Sequence, residues 1–536
     1  MKMFILLTKH KMIKSLNIFK KFTHFIFITL FFTPAAYPEI LKTVPSTFTA
    51  KTGGEARFLL FLPEGGAISP NNVHVDGLPS DFTPLLTCTG KKGDKCNAQA
   101  GTDDLPILTL NVAVPSSAEE RKYTATITYE HEGIIYKSTA VIDIREKIKF
   151  VHPGIMLNKA MLEQINAHLQ SGNPVWSRAT QIASESFYGS KSYQPSPHST
   201  VSADGNEATD LRNDAIAAYT QALLWSATHD ETYARNAIRI MNAWSEMLSA
   251  DFTGSNRFNL AAWMGDVWPR AAEIIRYTYR DKDGNAIWRS DEIVRFEEML
   301  NKYYARFILG SFYTSGMYGG NLIASQAAAL INIGVFNNDA ETFLAGIEKW
   351  RRMLPAYIYM KNDGDIPAPP VFWRNNYINR TNLLGRNGYW YDQNLKVDEI
   401  GEGGISQETC RDLGHVLWGF SALANGSETA RIQGIDLHAE TTMGTPNTAR
   451  LSAGLEFNLA FLNANESNKT IAAPAALCGG VINAGQSPGK GEILFNDIVM
   501  RRGLSLPETS RYLENQRPTS ASYFMIWETM SHYSNP

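Results

Sequence analysis

The nine residues Gln407-Glu408-Thr409-Cys410-Arg411-Asp412-Leu413-Gly414-His415 set a carboxamide, two carboxylates, a guanidinium and an imidazole ahead of the apolar run Val416-Leu417-Trp418-Gly419-Phe420. If the stretch is helical from Glu408, Arg411 and His415 stand one turn apart and project from one face. A permanent cation and a near-neutral base then reach the same point, which suits the handling of an acidic substrate. A plain structural reading competes with this one: Arg411 and Asp412 as solvated surface charges, His415 as a satisfied core histidine.

These groups must be positioned by helices. Before the change of pattern at Val151-His152-Pro153-Gly154, residues Val44 to Lys147 alternate with period two: Ala56 to Leu62, Ile107 to Val112 and Tyr123 to Tyr129 read as strands, and Glu132-Gly133 turns the last into Ile134 to Ile144. A small β-sandwich of immunoglobulin-like type over 39–148 follows from this, with no catalytic constellation of its own. Beyond it, apolar residues recur three and four apart. The clearest helices are Leu211 to Ser226, Thr232 to Leu248, Phe258 to Tyr279, Asp291 to Leu309, Tyr318 to Phe336, Ala340 to Met360, Glu408 to Asn425 and Ala449 to Leu462. Short polar links such as Asn337-Asn338-Asp339 imply antiparallel hairpins, and their succession over 149–536 suits an α/α toroid or incomplete barrel.

Charge is balanced, Lys+Arg 50 against Asp+Glu 53, so no basic stripe argues for nucleic acid. The first 38 residues read as an export signal, with a lysine-rich start, the apolar run Phe25 to Phe32 and the small-residue site Thr33-Pro34-Ala35. After its removal no segment is long and apolar enough to span a membrane, and the protein is expected in the periplasm or secreted. Of four cysteines, Cys88 and Cys96 enclose a short loop and are expected to pair in an oxidising compartment, whereas Cys410 is either free or bonded to Cys478. No CxxC or HExxH spacing supports a metal site, and no cofactor is called for.

Between Tyr359 and Gly404 the helical rhythm stops in a stretch rich in Pro, Gly, Asn and aromatics, including Trp373, Tyr377, Trp390 and Tyr391. A loop of this length inside a compact domain points to function, here a cleft wall that stacks sugar rings; the alternative is that these aromatics glue the loop to the barrel. Trp263 and Trp268, on the helix after Asn256-Arg257, either pave a sugar subsite or are ordinary core aromatics, and their helical spacing favours the second.

Four segments together resemble the alginate-lyase-type polysaccharide lyases. They are His152-Pro153-Gly154-Ile155; Asn236 to Trp244 with Ala271-Ala272-Glu273; Tyr318-Gly319-Gly320-Asn321 with the helix ending Ile333-Gly334-Val335-Phe336; and Glu408 to His415 followed by Gln433 to Leu437. The resemblance covers most of 151–465 and implies an α/α toroid that cleaves an anionic uronate polysaccharide by β-elimination, alginate first and glucuronan next. In that chemistry the carboxylate charge of the uronate must be offset before a base can take the C5 proton, and an acid then protonates the departing O4. The resemblance assigns Asn321 and Arg411 to the carboxylate; Asn321 also reads as a helix N-cap.

Where the better-known branch carries a histidine after the asparagine and a tyrosine seven residues past the arginine, this chain has Leu322 and Trp418. His415 is the natural replacement base. Tyr318 is the candidate acid, with Tyr377 and Tyr391 as rivals. Gln407 and Glu408 orient Arg411 or His415, bind sugar hydroxyls or form a solvated helix start, and Trp373, Tyr377 and Tyr391 are candidates for sugar contact. Two other classes stay open: a glycoside hydrolase using Asp363 or Asp365 with Glu408 as paired carboxylates, and a non-catalytic protein that binds acidic glycans.

Overall fold

The computed structural model describes residues 41–62, 68–89, 104–105, 107–311, 319–370, 378–385, 388–391, 393–395, 401, 403–464, 469–485 and 491–535. The expected export signal, the Cys88–Cys96 pairing, Tyr318, Trp373 and Tyr377 lie outside what is described.

The period-two region folds as strands β1 Lys42–Val44, β2 Thr47–Ala50, β3 Glu55–Phe61, β4 Val73–Asp76, β5 Thr83–Thr89, β6 Asp104–Leu105, β7 Ile107–Ala113, β8 Lys122–His131 and β9 Ile134–Ile144. Two four-stranded sheets form, in the orders β1-β3-β7-β5 and β2-β9-β8-β4. All of these pairings are antiparallel except β2 with β9. In β8 the alternation is followed closely: Tyr123, Ala125, Ile127 and Tyr129 are buried, while Lys122, Thr124 and Thr126 face out. The turn to β9 places Glu132 and Gly133 at φ 50° and 79°, the left-handed pair that a two-residue hairpin demands.

The helices are α1 Lys159–Gln170, α2 Pro174–Glu185, α3 Glu207–Thr228, α4 Glu231–Met247, α5 Arg257–Thr278, α6 Ser290–Met299, α7 Arg306–Leu309, α8 Gly320–Phe336, α9 Ala340–Tyr357, α10 Arg380–Leu384, α11 Leu413–Ile432, α12 Asn447–Ala464, α13 Glu492–Phe495, α14 Pro507–Gln516 and α15 Glu528–His532. Three differences from the sequence reading have physical causes. The expected helix from Glu408 begins only at Leu413, because Asp412 caps it with its carboxylate accepting from the His415 backbone N–H. The expected Asp291 to Leu309 helix is α6 and α7 joined by a π-turn over Leu300–Ala305. Helices α1, α2 and α14, absent from the expectation, are short amphipathic elements capped or opened by Asn158, Asn173 and Pro507.

All 17 residues of α8 are buried. Its sequence is apolar or small apart from the carboxamides Asn321, Gln326 and Asn332, which suits a helix enclosed on every side. It packs on α5, α9 and α11, and its glycines allow close approach: a Cβ on Gly334 would lie 2.4 Å from the Phe343 backbone nitrogen. Polar groups on these inner helices bond to one another across them. Asp266 of α5 pairs with Arg270 and accepts from Asn332 (2.6 Å) and Asn425 (2.8 Å), and Thr429 donates to Asn332 (2.7 Å). This network ties α5, α8 and α11 in one register beneath the site.

The sheets and helices meet at a buried ion pair. Arg351 of α9 donates to both carboxylate oxygens of Glu440 (2.9 and 2.6 Å) and, through its other Nη, to Thr49 of β2 (2.8 Å).

Candidate active site

The site forms where the N-terminus of α8, the C-terminus of α9, the turn 407–412 and the N-terminus of α11 converge. The short antiparallel pair Ile358–Met360 with Gly403–Ser406 delivers the turn to the end of α9, and the Gln407 backbone N–H donates to the Tyr357 carbonyl at 2.7 Å. Two glycines make the approach possible. A Cβ on Gly320 would fall 2.0 Å from the Tyr357 ring, and one on Gly419 would fall 2.2 Å from its hydroxyl oxygen. A disulfide between Cys410 and Cys478 fastens the turn from the other side, resolving the alternative the sequence left open.

Glu408 is the hub. Its carboxylate is fully buried, yet four donors converge on it: Asn321 Nδ2 at 2.7 Å and Arg411 Nη1 at 2.8 Å on Oε1, the Asn321 backbone N–H at 3.1 Å and the Tyr357 hydroxyl at 3.0 Å on Oε2. Tyr357 also lies within reach of the His415 and Val416 carbonyls, and its single proton serves one of these acceptors. Burial, then the Glu408 charge, pushes the Tyr357 phenol well above its ordinary range, and Tyr389 is raised by the same two causes. Both therefore remain protonated and act as neutral donors. The Tyr391 phenol is raised by burial and by Glu408, while Arg411 and Gln407 hydrogen-bond to it and pull the other way.

Arg411 and His415 are the groups that reach solvent, with side chains 38% and 36% exposed against 0% for Glu408. Arg411 Nη2 lies 2.9 Å from His415 Nε2, and His415 Nδ1 lies 2.6 Å from Asp412 Oδ2. Because a guanidinium can only donate, Nε2 is the acceptor and the neutral ring carries its proton on Nδ1, toward Asp412. Burial would raise the Asp412 carboxyl, but hydrogen bonds from the His415 ring and backbone outweigh it and hold it below its ordinary value. Burial likewise opposes the Arg411 charge, and Glu408 more than compensates. The result is an oriented imidazole whose Nε2 faces the half-exposed Arg411 guanidinium and whose Nδ1 is held by the Asp412 carboxylate.

The structure brings Asn321, Glu408, Arg411, His415, Gln407 and Tyr391 together. Gln407 and Glu408 are fully buried, so contact with sugar hydroxyls does not hold for them and the orienting alternative describes their geometry: Gly320 N–H donates to Gln407 Oε1 at 3.1 Å, and the Gln407 amide donates to the Tyr389 carbonyl. Asn321 is not the N-cap of α8, a place held by Gly319; its backbone N–H goes to Glu408 instead. Trp390 is buried glue, and Trp268 is core, donating to the Tyr304 hydroxyl at 3.1 Å. Asp363, offered as a paired carboxylate, is spent on a buried bidentate pair with Arg450 at 2.6 and 2.8 Å. Sequence reasoning missed Tyr357, whose role depends on Gly320 and Gly419 far from it in the chain. It also treated Asp412 only as a surface charge, although Asp three residues before His at a helix start is a recognisable capping pattern.

No family model matches the chain, and no curated protein does. Among solved structures the chain is similar to alginate lyase A1-III from Sphingomonas species A1, with 14% identity over 71% of this chain and 98% of that one and a TM-score of 0.46. A variant of alginate lyase A1-III complexed with a tetrasaccharide matches at 14% identity over 71% and 97%, TM-score 0.48. An alginate lyase from Bacteroides ovatus matches at 9% identity over 71% and 99%, TM-score 0.42. At such identities no residue role passes from those proteins to this one.

Proposed function

We propose that this protein is an exported polysaccharide lyase that cleaves a uronate-containing polymer by β-elimination, with alginate as the first substrate to try and glucuronan the next. The observation that carries the reading is the solvent-reaching pair of Arg411 Nη2 and His415 Nε2 at 2.9 Å, backed by Asp412 on the other ring nitrogen. When a substrate carboxylate takes the outer edge of Arg411, the Nε2 lone pair is released to accept the C5 proton, and Asp412 stabilises the imidazolium that forms. Glu408 holds Arg411 and Asn321 in place, leaving the second N–H of the Asn321 amide for the same carboxylate. Tyr391, kept protonated and hydrogen-bonded to Arg411, is the described tyrosine best suited to protonate O4; Tyr318 and Tyr377 keep their candidacy from the sequence. No cofactor enters this scheme.

The same reading takes the helical region, 149–536, as one catalytic domain. Its packing order α1, α3, α5, α8, α11, α13, α15 returns to α1, which supports the α/α toroid over the incomplete barrel. Residues 1–38 are the export signal and 39–148 an immunoglobulin-like support.

The test incubates the mature protein with alginate, polyguluronate, polymannuronate and glucuronan and follows the ultraviolet absorbance of unsaturated uronate ends. Wild type is expected to raise it on at least one polymer, and Arg411→Ala and His415→Ala to lower the rate by about 10²-fold to 10⁴-fold. Reducing ends without unsaturation would replace the reading with hydrolysis. Binding without either product would replace it with a glycan-binding role.

A further inference from the structure

The proposed mechanism needs His415 uncharged as a base, and the site then has a charge problem. Glu408 and Asp412 supply two negative charges and Arg411 one positive, so the cluster carries one net negative charge, whereas the proposed substrate is a polyanion. A further cation beside this cluster would favour binding of the uronate chain.

A route of aromatic contacts leads to one. The His415 ring lies 5.9 Å from Trp418; Trp418 lies 4.7 Å from Tyr523 and 5.1 Å from Trp263, and Tyr523 and Trp263 are 5.0 Å apart. All three aromatics are partly exposed. Tyr523 sits at the tip of the hairpin Ala521–Ser522 with Met525–Ile526, at φ 51°, so the backbone itself is bent to present it. Over its ring, 4.8 Å from the centroid, lies the guanidinium of Arg212 from α3. Arg212 is partly exposed and makes no ion pair or hydrogen bond among the described residues. Stacking fixes the plane of a guanidinium while leaving its edge donors free, the geometry suited to bidentate capture of a carboxylate.

We infer that Arg212, stacked on Tyr523, binds the carboxylate of a second uronate residue of the polymer, with Trp418, Trp263 and Tyr523 forming the apolar floor between that subsite and His415. The inference rests on the uronate reading of the site and adds a subsite built from α3 and the C-terminal hairpin, segments beyond the motifs that carried the family resemblance. Arg212 is a binding residue and touches no reacting atom.

Two measurements test it. In affinity electrophoresis through gels containing each of the four uronate polymers, wild type is retarded by at least one, and Arg212→Gln loses about tenfold or more in affinity for it, the scale of one charge-assisted contact. Arg212→Lys keeps the charge without the fork and recovers only part. In turnover, Arg212→Gln raises KM by a similar factor while kcat falls less, and shortening the substrate to one that cannot reach the second subsite erases the difference between variant and wild type. A melting temperature equal to wild type verifies that the variants fold. Unchanged retardation of Arg212→Gln, or no retardation of wild type by any polymer, overturns the subsite. Retardation that depends on Arg212 without unsaturated product keeps the subsite and overturns the lyase reading, so the two failures are distinct.

Discussion

In the proposed mechanism His415 takes its role from its neighbours on both ring nitrogens. Asp412 is the decisive one, since it caps α11 through one oxygen and holds the ring through the other. Asp412→Asn separates these duties. Asparagine caps a helix as well as aspartate does, so stability should change by less than about 1 kcal/mol. Its amide can instead donate to Nδ1, which moves the ring proton to Nε2 and removes the acceptor facing substrate. The expected outcome is a kcat lower by about 10²-fold or more with a melting temperature near that of wild type. A kcat that survives the change would remove His415 as the base. Arg411 and His415 were legible in the sequence because their spacing is local. Glu408 as a buried hub was not, because its partner Asn321 is 87 residues away.

At the scale of elements, the site exists because α8, α9 and α11 approach more closely than ordinary side chains permit. Gly419 illustrates it: a Cβ there would lie 2.2 Å from the Tyr357 hydroxyl and 2.3 Å from its ring, whereas at Gly426, two turns along the same helix, the nearest atoms are side-chain carbons at 3.2 and 3.3 Å. Gly419→Ala should therefore cost about 1–3 kcal/mol and push Tyr357 off Glu408, while Gly426→Ala should cost far less. Thermal melts of the pair check this, together with turnover by the first. Equal melting temperatures would contradict the packing. The helical rhythm of α8 and α11 was readable from apolar residues three and four apart, but the single buried face expected of an amphipathic helix does not hold for either, because both are enclosed by neighbours.

Across the whole molecule, the sheets and helices are joined through Arg351, whose charge is compensated by Glu440 and whose remaining donor reaches Thr49. Breaking a buried pair leaves an uncompensated charge. Arg351→Ala is expected to lower unfolding stability by about 3–5 kcal/mol, and adding Glu440→Gln to recover part of that loss. Urea denaturation of the single and double variants measures the coupling, and strictly additive effects would show that the pair does not couple the two regions. Among the described residues, the side chains that bond to the Glu408 carboxylate and the His415 ring all come from the helices and the turn 407–412.

By itself the sequence determined the change from period two to period three-and-a-half near Val151, the succession of helical segments, and the meeting of Arg411 with His415. These follow from side-chain periodicity and short-range geometry, which act over a few residues. Tertiary structure alone decided that Glu408 is buried, that Tyr357 reaches it past two glycines, that Cys410 joins Cys478, and that Arg212 and Tyr523, more than three hundred residues apart, stack beside Trp418. The reason is physical: a buried charge or a stacked cation is stable only where donors and rings from separate elements are brought to one place, and no local pattern in the chain encodes which elements those will be.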